Sequence, residues 1–208
     1  LRVHAKSGDP DFLKWSTVQA TMLVGEGASY IPLERAMLAS ARYWEQVTRW
    51  TDQDAANLLH QAFHLLMFER LLGLPLSWYR TIQEFGGGYG AMARVTRRLG
   101  FPGRYAIFDL PECQDLQRRY LTEDEAEWGT LERPELFISC YGLSETPVEG
   151  RTRFLAQCQP QATAILFLET YEGIDNMEWF RRAAANREAS LQRHPFLAGS
   201  WYGVITGA

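Results

Sequence analysis

The sequence predicts an α/β protein: a doubly wound sheet with helices on both faces, entered through an amino-terminal helical region. Three observations predict it. From residue 79 onward strand-like and helix-like segments alternate, the pattern of a parallel sheet wound through crossover helices. The stretch "ATAILFLE" is almost continuously apolar, as a strand buried on both faces must be. The stretch "EFGGGYG" sets four glycines between the first strand and the helix after it, at the edge where open α/β sheets bind ligands. The organisation predicted is a helical region over 1–78 and a sheet core over 79–208 that forms one compact unit.

Taken in order, the elements are these. Phe12, Trp15, Val18 and Met22 recur at helical spacing, and Pro32 opens a second helix within "ASYIPLERAMLASARYWEQV". A third helix has Thr51 and Asp54 in a capping-box-like arrangement, carries Leu58, Phe63, Leu66, Met67 and Leu71, and stops at Gly73 and Pro75. "YRTIQEF" reads as the first strand and "AMARVTRRLG" as a helix with Gly100 at its carboxyl end. "RYAIFDL" is the second strand, and Pro111 starts "ECQDLQRRYL" as a helix. "EDEAEWGTLERP" holds either a short edge strand around Trp128 to Leu131 or no strand. "ELFISCY", the helix "RTRFLAQCQ" and "ATAILFLE" follow. Asp175 or Asn176 caps a long helix running through Leu191, and "GSWYGVITG" closes the sheet as a strand.

Composition narrows the function. A net charge of -4 and a pI near 5.6 give no basic footprint for nucleic acid. The arginine pairs at 97–98, 118–119 and 181–182 read as solvated helix faces. Cys113, Cys140 and Cys158 are odd in number and lack C-x-x-C spacing, which suits a reducing cytoplasm better than a disulfide framework or a zinc site. No apolar run is long enough to span a bilayer, and "LRVHAKSGDPD" lacks the apolar core of a secretory signal.

A strand, a glycine-rich turn and a helix together offer backbone N–H groups and the positive end of a helix dipole to a ligand. A P-loop would need G-K-[ST], but Ala91 and Met92 follow Gly90. A dinucleotide site fits the spacing, because Gly86, Gly88 and Ala91 satisfy G-x-G-x-x-[GA] and Asp109 lies about twenty residues on. Glu84 weighs against it, since a carboxylate just before the glycines repels a pyrophosphate. S-adenosylmethionine carries an ammonium and a sulfonium, which an acid at that point attracts, and Asp109 suits its ribose hydroxyls.

These residues resemble a known family. "EFGGGYG" resembles the first motif of class I S-adenosylmethionine-dependent methyltransferases. "EFGGGYGAMARV" with "YAIFDLPE", "LQRRYL" and "LFISCYGLSE" is similar to the sugar O-methyltransferases associated with bacterial surface-polysaccharide gene clusters, over roughly residues 80 to 180. The resemblance implies a Rossmann-like methyltransferase sheet and O-methylation of a sugar or glycan precursor within polysaccharide biosynthesis. It implies that Glu84, Phe85, Gly86, Gly87, Gly88, Tyr89 and Gly90 meet the methionine part of S-adenosyl-L-methionine, that Asp109 holds the ribose with Leu110 beside the adenine, and that Cys140 and Tyr141 complete the site. The third-strand region departs from the family, in which an acidic or polar residue commonly meets the adenine amine.

Methyl transfer needs an aligned oxygen nucleophile and a base. The loop "CYGLSETP" brings Tyr141, Ser144 and Glu145 to the sheet edge, with Glu145 the first base candidate and His194 in "RHPF" the second. Glu145 serves equally well as a helix-start carboxylate. His60 and His64 stand one helical turn apart without a third metal ligand, and read as structural. Glu169, Glu172, Asp175 and Asn176 are oxygen groups of the kind magnesium takes, with helix capping the simpler role for the last two; no metal site is assigned. Trp15, Tyr30, Tyr43, Trp44 and Trp50 suit core packing, a lid over a small-molecule or glycan acceptor, or a homodimer face. An NAD(P)-dependent oxidoreductase, a non-catalytic cofactor-binding module and a small natural-product acceptor are the alternatives.

Overall fold

The structure is a computed structural model that describes residues 55 to 207 continuously, with 37, 39, 41, 44–47 and 49 before them. The expectations for Phe12 to Met22, Pro32, Thr51 and Asp54, and for Trp15, Tyr30, Tyr43, Trp50 and the side chain of Trp44, lie outside the described residues. The chain forms two units, 1–63 and 64–208. The first holds α1 (Trp44–Val47) and the start of α2 (Ala55–Leu72), with Leu58, Leu59, Ala62 and Phe63 buried. Helix α2 ends where Gly73 takes a φ of 69°, the left-handed turn that glycine adopts without strain.

The second unit is built on one seven-stranded sheet. Its elements are β1 (Thr81–Phe85), α3 (Ala91–Arg98), β2 (Arg104–Phe108), α4 (Pro111–Tyr120), β3 (Glu127–Trp128), β4 (Leu136–Cys140), α5 (Val148–Cys158), β5 (Ala162–Leu168), the small pair β6 (Thr170–Tyr171) and β7 (Ile174–Asp175), α6 (Asn176–Ala183), β8 (Glu188–Arg193) and β9 (Ser200–Thr206). The strand order is β3-β2-β1-β4-β5-β9-β8. The first five run parallel, and β9 enters antiparallel between β5 and β8. The central strands β4 and β5 are buried almost throughout, which explains their unbroken apolar runs.

Helices α5 and α6 cover one face of the sheet. Phe154, Cys158, Met177, Trp179 and Phe180 pack there with Phe137, Ile165, Phe167 and Ile205. Each fully buried large apolar side chain contributes about 1.5–3 kcal/mol. Alternation along β9 turns Tyr202 to the other face, where Phe68 of α2 meets its ring edge-on and His64 Nδ1 lies 2.6 Å from its hydroxyl. His64 is therefore a buried partner of Tyr202.

Two expectations are corrected. The helix capped near residue 175 ends at Ala183, and residues 188–193 form β8, paired with β9. All six residues of β8 are exposed, so no hydrophobic alternation marks them, and Asn186 breaks the helix register with a φ of 66°. The edge strand is Glu127–Trp128 and stops before Gly129, which has a φ of 134°; Leu131 N–H donates instead to the buried side chain of Gln83. Among the described residues no helix is long and apolar enough to cross a membrane.

Candidate functional site

The glycine loop leaves the carboxyl end of β1 and turns into α3. Gly86 and Gly142, from the loops after β1 and β4, stand back to back: a β-carbon on Gly86 would lie 2.9 Å from the Gly142 α-carbon. Gly90, at the start of α3, has a φ of 99° and faces Leu121, which a β-carbon would meet at 2.6 Å. Not all of the loop N–H groups are available to a ligand. Three of them are used within the protein: Gly86 N–H donates to Phe108 O at 2.9 Å, Gly88 N–H to Asp109 Oδ2 at 3.0 Å and Gly90 N–H to Gly87 O at 2.9 Å. The loop is thus held from below before any ligand arrives.

Two acids sit beneath and beside it. Glu84 is 2% exposed, and among the described residues its side chain accepts one hydrogen bond, from the Tyr105 hydroxyl at 2.9 Å. Burial pushes its carboxyl up to about 8, the Tyr105 bond works against that rise and the Asp109 charge adds to it. Glu84 is therefore mostly the neutral acid at neutral pH, and not the fixed anion its spacing from the glycines predicts. Charge alone does not exclude a dinucleotide. The antiparallel β9 does separate this sheet from the 3-2-1-4-5-6 dinucleotide order.

Asp109 follows β2 and accepts from Gly88 N–H, from Leu110 N–H at 2.8 Å and from Gln117 Nε2 at 2.9 Å. Burial raises its carboxyl above the usual range, against the pull of those bonds. Gln117 was not anticipated. It is fully buried on α4, also donates to Gly88 O at 2.9 Å, and accepts from Trp128 Nε1 at 3.1 Å, so one amide joins the loop, the acid and the edge strand. Tyr105, Gln117 and Gly142 carry no motif of their own. A glycine directly after the fourth strand was the one available hint.

The other predicted residues fall into groups. Leu110 is 61% exposed at the start of α4, beside Asp109. Tyr89 meets Tyr120 edge-on across the loop at 4.7 Å. The ring of Phe85 turns into the aromatic core against Phe108 and Phe154, and its carbonyl accepts from Ser139 Oγ at 2.9 Å. Cys140 ends β4, its thiol raised well above the ordinary value by burial and then by Glu84. Tyr141 follows with a φ of 65°, its hydroxyl 3.2 Å from Ser200 Oγ.

The loop after β4 is clamped from inside. Arg151, fully buried, donates to Thr146 O, Ser144 O and Asn176 Oδ1, and lies over the Trp179 ring. Asn176 in turn donates to Leu168 O, and Asp175 caps α6 by accepting from Glu178 N–H. Glu145 stands on this braced turn, exposed, with no side-chain hydrogen bond among the described residues. His194 lies at the same edge of the sheet, since its N–H donates to Ser200 O and Ser200 pairs with the last residue of β5. It is 5% exposed, stacks on Tyr202, and accepts at Nδ1 from Phe196 and Leu197 N–H. Among the described residues no three His, Cys, Asp or Glu side chains gather as a metal site.

Comparison with solved structures gives the fold a family likeness. The chain is similar to the methyltransferase domain of bacterial CtHen1, with a TM-score of 0.54 and 9% identity over 72% of this chain and 98% of that one. It is similar to a chain from a complex between a Haloferax volcanii methyltransferase activator and a methyltransferase, with a TM-score of 0.54 and 16% identity over 83% and 96%. Human N-acetylserotonin methyltransferase in complex with SAM matches with a TM-score of 0.50 and 14% identity over 91% and 70%. The fold is the Rossmann-like fold of class I methyltransferases. No protein-family model matches the sequence, and no curated protein matches it.

Proposed function

We propose that this chain is an S-adenosyl-L-methionine-dependent O-methyltransferase whose acceptor is a hydroxyl of a sugar or glycan precursor. One observation carries the cofactor reading. At the carboxyl edge of a methyltransferase-type sheet, Glu84 and Asp109 flank the glycine loop, and among the described residues neither is in an ion pair. Gly86 and Gly142 pack the two loops together, while a β-carbon on Gly88 would meet nothing within 4 Å, so bare backbone faces open space beside the acids. Acids without cationic partners beside bare backbone suit a ligand that brings its own positive charge.

When bound, this cofactor supplies an electrophilic methyl carbon on a sulfonium. The residues of the chain do the rest. Asp109 accepts from the ribose, Leu110 offers an exposed apolar surface to the adenine, and Glu84 faces the cationic end. Glu145 takes the proton of the acceptor hydroxyl, because its carboxylate is exposed and, among the described residues, accepts no hydrogen bond, on a loop that Arg151 holds still. His194 is the weaker base: with Nδ1 accepting two backbone N–H groups, the neutral ring carries its proton on Nε2 and offers no open lone pair for a substrate proton. The sugar acceptor rests on the motif resemblance. The test is a screen of nucleotide sugars and short oligosaccharides for methyl uptake from labelled cofactor. Uptake by a sugar hydroxyl supports the reading; uptake only by small aromatic or natural-product hydroxyls replaces the acceptor.

A further inference from the structure

The buried pair Glu84–Tyr105 has a property that cofactor contact alone does not require. Glu84 lies directly under the loop, with Oε2 about where a β-carbon on Gly87 would touch it, 3.1 Å away. Each group that faces it is neutral or acidic. From β2 comes Tyr105, from the turn after β2 Asp109, and from β4 the Cys140 thiol. Helix α3 reaches Tyr105 rather than Glu84, through Thr96 and the field of Arg97, and Phe101 fixes the Tyr105 ring edge-on. Among the described residues no basic side chain touches the carboxyl.

In the parallel register Glu84 is level with Ile107, and Tyr105 lies two residues earlier on the same face, so its phenol reaches up the sheet to the carboxyl. Burial keeps that phenol protonated, as a fixed donor. A donor of this kind binds a carboxylate more strongly than the neutral acid. We propose that Tyr105 is a positioning residue that makes the site selective for positive charge, by setting how readily Glu84 gives up its proton when a cationic ligand enters. This rests on the cofactor reading above. A ligand with more positive charge near Glu84 gains more from the ionised form, so S-adenosylmethionine is retained over S-adenosylhomocysteine, and cofactor binding releases a proton.

The test is calorimetric titration of the full chain with S-adenosylmethionine and with S-adenosylhomocysteine between pH 6 and 7.5, below the range of about 7.7 to 8.0 in which α-amino groups titrate. Wild type should bind S-adenosylmethionine more tightly as pH rises and release protons to the buffer. Tyr105→Phe should lower affinity for S-adenosylmethionine by about tenfold, and for S-adenosylhomocysteine by clearly less, whereas mere loss of packing would weaken both alike. Glu84→Gln, isosteric and neutral, should remove the pH slope. A flat profile in wild type, or equal losses for the two ligands in Tyr105→Phe, overturns this inference and leaves the cofactor reading standing. Binding of neither ligand by wild type overturns both.

Discussion

The Gly88 N–H donates to Asp109 Oδ2 at 3.0 Å, so the acid expected to hold a ribose also holds the glycine loop. Gln117 donates to the same oxygen and Leu110 N–H to the other. A carboxylate has roughly four lone-pair positions, and Oδ2 has both of its own in use. The Cys113 thiol donates to the same carboxyl, so its four positions are all met within the protein, and a ribose hydroxyl binds only as one of these donors lets go.

Substitution of this residue is therefore not conservative even when isosteric. Asp109→Asn turns an amide N–H₂ toward donors already in place, and it should weaken S-adenosylmethionine and free adenosine alike, by about tenfold or more. Calorimetry with both ligands checks this. An unchanged dissociation constant would show that the ribose lies elsewhere.

Glu84 makes stability depend on pH. Its folded value, about 8, lies above the unfolded carboxyl value of roughly 4.3, so the folded state holds the proton more tightly. The stabilisation is fully present below the unfolded value and is lost as pH rises through the folded one. Between about pH 4.3 and 8 the loss should amount to a few kcal/mol. Glu84→Gln should melt close to wild type at pH 5 and above it at pH 8, as followed by thermal denaturation across that range. A constant difference between the two proteins would contradict the neutral buried acid.

The braced loop after β4 predicts a separation of binding from turnover. Glu145→Gln should slow methyl transfer by about a hundredfold while leaving cofactor affinity unchanged. Single-turnover rates beside equilibrium titration measure both. If a chelator abolishes activity in wild type instead, the carboxylates after β5 gain the role and Glu145 loses it.

Much of the sheet was legible because its signals are local. The apolar run of β5, Pro111 at the start of α4 and the glycines between β1 and α3 each identify their element within a few residues. Strand β8 was not legible, since an edge strand exposed along both faces shows no alternation and follows a helix-forming stretch of alanines and arginines. The site divides the same way. Glu84 and Asp109 stand at fixed distances from the glycines and could be found. Gln117, Tyr105 and Gly142 act through contacts made only when distant segments meet. The protonation state of Glu84 depends on burial, which no spacing reports.

The proposed function requires that the loop between Glu84 and Asp109 receive S-adenosylmethionine. Titration of the protein in parallel with S-adenosylmethionine, S-adenosylhomocysteine and NAD(H) tests it most directly. Saturable one-to-one binding of the first two, lost in Asp109→Ala, with no heat from NAD(H), is the result predicted. Tight binding of NAD(H) with no response to either sulfur ligand would contradict it.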